Sequence, residues 1–565
     1  MLTMVLMFFS IVQKQNKIWT FKPLDGVFFP TPEPKLSFET YRTGQYQAQM
    51  EPYLKENFGF REPLIRFYNQ FLYDFFKTSY NQDLVIGKDN WLYFVQNVND
   101  YYGTEMYRWH DSREEAREAF DKEIRLMWKL RGVLKDYGID FLVFMAPEKG
   151  FVYPEYLPER NFDTTSINAR EYFSAKFDSC GFPYIEMTKW FIDMKKADTL
   201  PYSLFPQAGL HWDFSAALAT DSLFRFMADL KGIKLPELSY GPLRESSEET
   251  TKEDRDIERV VNLMRPIPRK YDRLYDSEVT VVTDENTTCP AALFVGTSFL
   301  MRMYYFVPFG DVFSKAEYWY YNSGVYYGKK FEKYTLVEKL DILQELMEFD
   351  YVVWFAEGEQ ICKASFGFVE SALMHLCVND KRFEDVRHGI MDELRLDEAT
   401  MKEFKDYEGE DLTAKLWLRA RDLMLKDPER YFPEIAGDSI PTARNERIPE
   451  ALAIKDIKQD SAWMKNLQCQ TVIRNASLEE VLRMEAQNIL NNRPLMRDEP
   501  NVFSRQTYIE SLVKAMEEDI IKNNPELLES IRQKSDTTGL TFEEQLHADA
   551  AWIVNYQIEQ GLIEF

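Results

Sequence analysis

The stretch Ala291–Leu300 reads AALFVGTSFL and decides how the rest of the chain is interpreted. Its first five residues are apolar and run into Gly296-Thr297-Ser298, which is typical of a buried strand that ends in a turn. In α/β folds, nucleophiles and ligands lie at such strand ends. Ser298 is therefore a candidate nucleophile, and the alternative is a small polar residue that caps the next helix.

Length and charge limit the class of protein. The chain has 565 residues, too many for one core, and 45% of them are hydrophobic, which suffices for large folded domains. The formal net charge of −25 argues against a nucleic-acid-binding protein, which needs a basic face to meet phosphates. No two of the five cysteines have CxxC spacing, so a structural zinc site is not indicated.

Residues 1–45 are interpreted as the remnant of a membrane anchor followed by a linker. The apolar run Met1–Val12 is too short to span a bilayer, and no Lys or Arg precedes it as in a signal peptide. Lys14 and Lys17 follow the run as an interfacial flank would. A short buried helix is the alternative. The linker contains four prolines, at positions 23, 30, 32 and 34.

Residues 46–377 alternate between strand-like and helix-like segments. This alternation predicts an α/β domain in three layers, with a central parallel sheet covered by helices on both faces. Two of the helical segments are Ser166–Asp178 and Phe214–Leu230. The predicted strands are Phe141–Pro147, Phe182–Met187, Glu278–Val282, Ala292–Gly296, Tyr318–Asn322 and Tyr351–Ala356.

Residues 378–565 lack strand signals and are predicted to be helical. SLEEVLRMEAQNIL from Ser477 aligns with TFEEQLHADAAWIV from Thr541, and each copy begins with a capping box that ends in a glutamate. The pattern predicts a duplicated helical hairpin at about 462–492 and 526–556. We interpret it as a packing or interaction module.

His211 is the best candidate for a base that would activate Ser298. It is one of five histidines and lies in FPQAGLHWDFSAAL, in an irregular stretch just before a helix. A third segment, Met145–Pro158 (MAPEKGFVYPEYLP), leaves a predicted strand at its carboxyl end. Because carboxyl ends of parallel strands meet at one sheet edge, we expect these three loops to converge.

Five segments together resemble one known family. They are FGFREPLIRFYNQ (58–70), GKDNWLYF (87–94), PEKGFVYPEYLP (147–158), GLHWDFSAA (209–217) and FVGTSF (294–299). Their order is similar to that of the SGNH-hydrolase-like family of the alginate O-acetylation proteins (AlgX/AlgJ-like), over roughly residues 40–360. His211 precedes Ser298, as in the circularly permuted acetylation branch, whereas ordinary SGNH esterases have the serine motif first.

The resemblance implies a periplasmic, often membrane-anchored protein that transfers or removes acetyl groups on an exported polysaccharide or oligosaccharide. It implies Ser298 as nucleophile, His211 as general base and a membrane-bound O-acyltransferase as partner, with no metal or organic cofactor. The oxyanion would be held by the Ser298 backbone N–H and a neighbour, for which Asn322 is a candidate.

The chain departs from the family at the acidic residue. The family usually has Asp-x-His, but this chain has Gly209-Leu210-His211, and position 208, where more distant esterases have aspartate, is Ala208. Three alternatives therefore remain open. The site is a Ser-His dyad, or it takes its acid from another position, for which Asp213 and Asp284 are candidates, or it is inactive. In the last case the chain would be a non-catalytic scaffold that binds glycan or the acyltransferase.

Overall fold

The computed structural model describes residues 9–10, 12–14, 16–26, 30–245, 254–270, 272–363, 365–405, 407–498, 505–560 and 562–563. Most of the apolar run Met1–Val12, interpreted above as an anchor remnant, lies outside the described residues. In the part that is described, none of the helices combines the length and the apolar character needed to cross a bilayer.

Thirteen strands are found in the described residues. They are β1 Leu84–Ile86, β2 Leu92–Phe94, β3 Asp140–Ala146, β4 Tyr184–Glu186, β5 Glu237–Tyr240, β6 Arg244–Glu245, β7 Tyr275–Asp276, β8 Val279–Val282, β9 Ala291–Gly296, β10 Lys315–Tyr320, β11 Gly324–Tyr327, β12 Lys333–Leu336 and β13 Tyr351–Glu357.

Seven of these strands form the central sheet, in the order β12-β11-β10-β9-β13-β3-β4. The five strands from β10 to β4 are parallel, which confirms the predicted α/β core. The strands β11 and β12 extend the sheet in antiparallel register, so the sheet is mixed at one edge. The predicted strand Glu278–Val282 pairs instead with β5 in a separate two-stranded sheet.

Helices cover both faces of the sheet because the central strands are apolar on both sides. On β13, Trp354 faces Phe173 of one helix at a ring-centroid distance of 6.3 Å. Its neighbour Phe355 points to the opposite face and contacts Trp212 at 6.1 Å, next to the helix Ser215–Lys231. All seven residues of β13 are buried.

The α-helices have the following bounds: Phe38–Arg42, Gln45–Glu56, Arg61–Phe76, Val95–Tyr101, Arg113–Lys135, Lys149–Val152, Ala169–Cys180, Thr188–Ala197, Ser215–Lys231, Asp256–Val261, Phe299–Phe306, Phe309–Val312, Ile342–Met347, Gly358–Ile361, Phe368–Cys377, Asp380–Leu396, Glu398–Glu403, Gly409–Lys426, Pro428–Tyr431, Ile448–Gln459, Ser461–Arg474, Leu478–Leu490, Arg505–Asn523, Pro525–Thr538 and Phe542–Glu559.

The described residues divide into two compact units, Met1–Ile342 with Phe349–Ala443 and Leu343–Glu348 with Arg444–Phe565. The first unit thus ends at Ala443 and not near residue 377, where the change in composition suggested a boundary. Lys129, buried on the helix Arg113–Lys135, explains the difference. Its Nζ donates to Glu429 Oε1 at 2.6 Å and to the Ile435 carbonyl at 2.7 Å, which ties residues beyond 378 to the α/β unit.

The second unit contains the two predicted helical hairpins. They are Ser461–Arg474 with Leu478–Leu490, and Pro525–Thr538 with Phe542–Glu559. Both capping boxes, at Ser477 and at Thr541, are confirmed. Each hairpin packs with the helix before it around a separate small apolar core, in which the equivalent residues Leu482 and Leu546 are buried.

Candidate active site

Ser298 lies where β9 ends and the helix Phe299–Phe306 begins. An added Cβ on Gly296 would overlap the Phe355 carbonyl of β13, so glycine is required for the two strands to approach at this point. Thr297 is buried, whereas Ser298 is partly exposed. In the described part of the chain, the Ser298 side chain makes no capping hydrogen bond to its helix. The helix-cap alternative therefore does not account for this serine.

His211 meets Ser298 directly. The distance from His211 Nε2 to Ser298 Oγ is 2.8 Å, and the other ring nitrogen, Nδ1, lies 2.5 Å from Asp256 Oδ2. The loop that carries His211 is anchored by its neighbour, because Trp212 Nε1 donates to the Phe299 carbonyl at 2.9 Å. Serine, histidine and carboxylate thus form a continuous hydrogen-bonded chain with the order expected of a catalytic triad.

Asp256 is held in the ionised form by its surroundings. Burial raises its pKa, but hydrogen bonds from His211 and from the backbone N–H groups of Leu210 and Ile257 outweigh burial, and the net pKa is lowered. A carboxylate at Nδ1 fixes the proton on that nitrogen and leaves Nε2 free to accept from the Ser298 hydroxyl. The arrangement is chemically suited to deprotonating the serine.

The carboxylate that contacts His211 is that of Asp256, and neither of the two acids that the sequence suggested lies there. Asp213 lies two residues from His211, but its carboxylate is 3.7 Å from the Arg302 guanidinium and buried beside another aspartate. Asp284 lies on the surface and pairs with Lys234 at 2.6 Å. No motif marks Asp256: it is 45 residues from His211 in the sequence, and its only local feature is that it begins the short helix Asp256–Val261.

The residue beside Ser298 on the β10 side is Tyr321 rather than Asn322. Burial, then the nearby Glu357 and Tyr320, raise the pKa of Tyr321, and hydrogen bonding with the Ser298 hydroxyl and backbone N–H acts in the opposite direction. Asn322 instead donates from Nδ2 to the Phe366 carbonyl at 3.2 Å. The Tyr321 phenol therefore stays protonated beside Ser298, whereas the Asn322 amide is directed to another loop.

Lys149, in the segment 147–158, connects to two other family-like segments, 87–94 and 209–217, through hydrogen bonds from its Nζ. Its fully buried Nζ donates to the carbonyls of Leu92 at 2.7 Å, Gln207 at 3.0 Å and Gly209 at 2.7 Å. Burial lowers the pKa of Lys149 to about 7. Three carbonyl acceptors nevertheless need three N–H donors, which only the ammonium form supplies. Lys149 thereby fixes the loop that carries His211, and the predicted convergence of these loops is found.

Replacing Lys149 by Met is expected to lower the free energy of unfolding by about 3 kcal/mol, because three buried carbonyls would lose their donor. Urea unfolding of both proteins measures the change. Lys88→Met is the control: Lys88 is half exposed and pairs only with Glu159, so a change below about 1 kcal/mol is expected. An equal loss in both variants would contradict this role for Lys149.

Glu357 is a buried carboxyl group next to the candidate nucleophile. It ends β13 and accepts a hydrogen bond from the Thr297 hydroxyl. Burial raises its pKa to about 7, and the Thr297 hydroxyl opposes the shift. Between pH 4.5 and pH 7 the unfolded chain releases this proton while the folded protein keeps it. Stability is therefore lost as the pH rises through this range.

Glu357→Gln removes that titration. The change in the free energy of unfolding that the mutation causes is therefore expected to be more stabilising at pH 8 than at pH 5, by up to roughly 3 kcal/mol. Glutamine retains an oxygen that accepts from Thr297. Urea unfolding at the two pH values measures the difference. Glu410→Gln, an exposed control, should leave the pH dependence unchanged. A Glu357→Gln effect that is the same at both pH values would refute the assigned titration.

A comparison with known protein families matches the region that contains Ser298, His211 and Asp256. Residues 84–321 match the family described as "SGNH hydrolase-like domain, acetyltransferase AlgX". This segment is similar to the AlgX family of SGNH hydrolase-like domains. The match includes four of the five motifs and confirms the resemblance suggested by the sequence. No curated protein matches the chain. Among the described residues, no group of three or more His, Cys, Asp or Glu side chains is arranged to hold a metal ion.

Three solved structures are similar to about half of this chain. The O-acetyltransferase domain of Pseudomonas putida AlgJ has 14% identity and a TM-score of 0.33, covering 49% of this chain and 92% of its own. Pseudomonas aeruginosa AlgX has 15% identity, a TM-score of 0.33 and coverage of 52% and 68%. Bacillus cereus PatB1 with a sulfonyl adduct has 11% identity, a TM-score of 0.28 and coverage of 44% and 92%.

Proposed function

We propose that the chain is an extracytoplasmic carbohydrate O-acetyltransferase that uses Ser298, His211 and Asp256. The observation that carries the proposal is the unbroken contact from Ser298 Oγ through the His211 ring to Asp256. The family name of the matched segment includes the word acetyltransferase, which supports the reaction class. The Asp256 contact also favours catalysis over a non-catalytic scaffold, because that alternative rested on a missing acid.

In the first half-reaction, Ser298 Oγ attacks the carbonyl carbon of a donor acetyl ester while His211 Nε2 takes the hydroxyl proton. The resulting oxyanion is stabilised by the Ser298 backbone N–H and the Tyr321 hydroxyl. Collapse of this intermediate breaks the donor ester bond. His211 then returns the proton to the departing donor oxygen, and the acetyl group is left on Ser298.

In the second half-reaction, a sugar hydroxyl attacks the acetyl carbonyl and His211 takes its proton. Breaking the bond to Ser298 releases the acetylated sugar, and the proton returns to Ser298 Oγ. Asp256 stays ionised throughout and stabilises the imidazolium form of His211. Water as the acceptor gives acetate instead, so the same residues allow acetylesterase activity.

The reaction is tested with 4-nitrophenyl acetate as donor, with and without a sugar acceptor. A transferase is expected to form acetylated sugar and to release less acetate as the acceptor concentration rises. Intact-mass measurement of rapidly quenched protein should show one acetyl group, located on the peptide that contains Ser298. Acetate release that is insensitive to every acceptor would instead assign an esterase, and no cleavage would reject the proposed function.

The native protein is proposed to act outside the cytoplasm, attached to the membrane and beside a membrane-bound O-acyltransferase that supplies the acetyl group. The apolar start of the chain and the proline-rich stretch after it support this placement. Fractionation of cells that express the native full-length protein tests it. Recovery in the membrane fraction, with protease access from the periplasmic side, is expected. Recovery only in the cytosol would contradict the proposal.

A further inference from the structure

A cavity of about 670 Å³ lies next to Tyr321, on the side away from the sheet centre. Residues from the end of β10 and from the helices Asp380–Leu396 and Gly409–Lys426 line it, and all of them belong to the first compact unit. Four aromatic side chains contribute to its wall: Tyr321, Phe366, Phe383 and Trp417.

A second cavity of about 820 Å³ adjoins the first along the helix Gly409–Lys426. The two cavities share Trp417 and Glu338 as lining residues, so the indole borders both, and the two together are called the groove below. Each volume falls within the roughly 300–1,000 Å³ of typical ligand pockets. Two adjoining cavities of these volumes suit a ligand made of more than one repeating unit.

The charges around the indole are balanced. The guanidinium carbons of Arg387 and Arg421 lie 5.1 and 5.7 Å from the centre of the Trp417 ring. Arg387 pairs with Glu384, and Arg421 pairs with Asp422 at 3.2 Å. Since each cation already has an anionic partner, in a chain of net charge −25, the groove does not favour a polyanion.

The groove also offers hydrogen-bonding groups next to apolar rings. Arg387 lines the groove, and its Nε is buried without a hydrogen-bond partner among the described residues. Sugar rings have an apolar C–H face that packs on aromatic rings and hydroxyl groups that need donors and acceptors at the edge. Aromatic rings flanked by paired Arg and acidic side chains therefore match an uncharged sugar better than a lipid or a uronate.

We propose that this groove binds the acceptor, an uncharged oligosaccharide or polysaccharide, and presents one of its hydroxyls to the acetyl group on Ser298. The link between groove and nucleophile is Tyr321, which lines the first cavity and whose backbone N–H bonds to the Gly296 carbonyl at 2.9 Å, two residues before Ser298. The acceptor role rests on the function proposed above, whereas the binding of a neutral glycan in the groove does not.

Binding is tested by calorimetry on the full chain without any acetyl donor, so the result is independent of catalysis. The probes are tetrasaccharides of glucose, mannose, galactose and N-acetylglucosamine, with tetramannuronate as the anionic comparison. At least one neutral probe should bind, and Trp417→Ala should weaken its binding about tenfold or more. Trp552→Ala, which removes an exposed tryptophan of the second unit, should have no effect.

A second variant shows whether weaker binding by Trp417→Ala comes from the groove or from a general folding defect. Ala414 is exposed on the helix Gly409–Lys426 and lines the second cavity, so Ala414→Trp fills the groove without removing a buried contact. It should weaken binding of the neutral tetrasaccharide to a similar degree. In both variants, KM for the sugar acceptor should rise.

The outcomes separate the two proposals. Neutral glycan binding that is lost in both groove variants, in a protein that never cleaves the ester, would keep the binding site and reject the enzymatic function. Tighter binding of tetramannuronate than of every neutral probe would overturn the proposed ligand. Absence of neutral binding, or equal affinity in wild type, Trp417→Ala and Ala414→Trp, would overturn the site.

Discussion

Replacing Ser298 by Ala is expected to lower kcat for acetyl-ester cleavage by roughly 10⁴–10⁶-fold, to the level left by binding and oxyanion contacts alone. The variant cannot form the acetyl-serine intermediate because it has no attacking oxygen. Removing one hydroxyl from a partly exposed position should change the free energy of unfolding by only about 1 kcal/mol. Steady-state hydrolysis of 4-nitrophenyl acetate and urea unfolding measure both effects.

Ser179→Ala is the matched control, because Ser179 is an exposed serine on the helix Ala169–Cys180 of the same unit. It should retain full activity. Retention of activity by Ser298→Ala, or an acetyl group on another residue after reaction with the probe, would remove Ser298 from the mechanism.

Replacing Asp256 by Asn is expected to lower kcat roughly 10⁴-fold, or about 5 kcal/mol of barrier, while the shape of the site is preserved. Asparagine would present a side-chain amide donor to Nδ1 of His211. That nitrogen would then accept a hydrogen bond, the proton would move to Nε2, and Nε2 could no longer take the proton of Ser298. The carboxylate that stabilises the imidazolium would be lost as well.

Asp284→Asn tests the rival acid and should leave kcat unchanged, because that carboxylate pairs with Lys234 at the surface. The pH profile adds a second measure: activity of Asp256→Asn should rise with pH as hydroxide begins to replace the missing base function. A large loss in Asp284→Asn with little loss in Asp256→Asn would reverse the assignment.

Local patterns were sufficient to predict much of this architecture. The apolar runs of β3, β9 and β13, which are ended by proline, glycine and glutamate, predicted parallel strands, and the structure pairs β13 with each of the other two. The shared sheet edge predicted that the loops holding Lys149, His211 and Ser298 would meet. Both capping boxes of the helical repeat also form as predicted, since a cap depends on residues only three positions apart.

Two other predictions differ from the arrangement that the structure shows. The change in composition near residue 377 suggested a domain boundary, but helix-rich sequence can pack on an α/β unit, and Lys129 pairs with Glu429. Asn322, the oxyanion candidate of the sequence, donates to the Phe366 carbonyl, and its neighbour Tyr321 lies closer to Ser298 in the chain path. Both residues have positive φ, and the backbone N–H of Tyr321 bonds to the Gly296 carbonyl at 2.9 Å, which places Tyr321 beside Ser298.

The sequence by itself determined the fold class, the family resemblance and the candidates Ser298 and His211, because these are written in contiguous segments. Only the tertiary structure decided that Asp256 completes the arrangement. A triad acid needs to reach one nitrogen of one ring, and any loop that packs there can supply it. The loop that does so here lies 45 residues from His211, and its position follows from the packing of the chain between them rather than from local sequence.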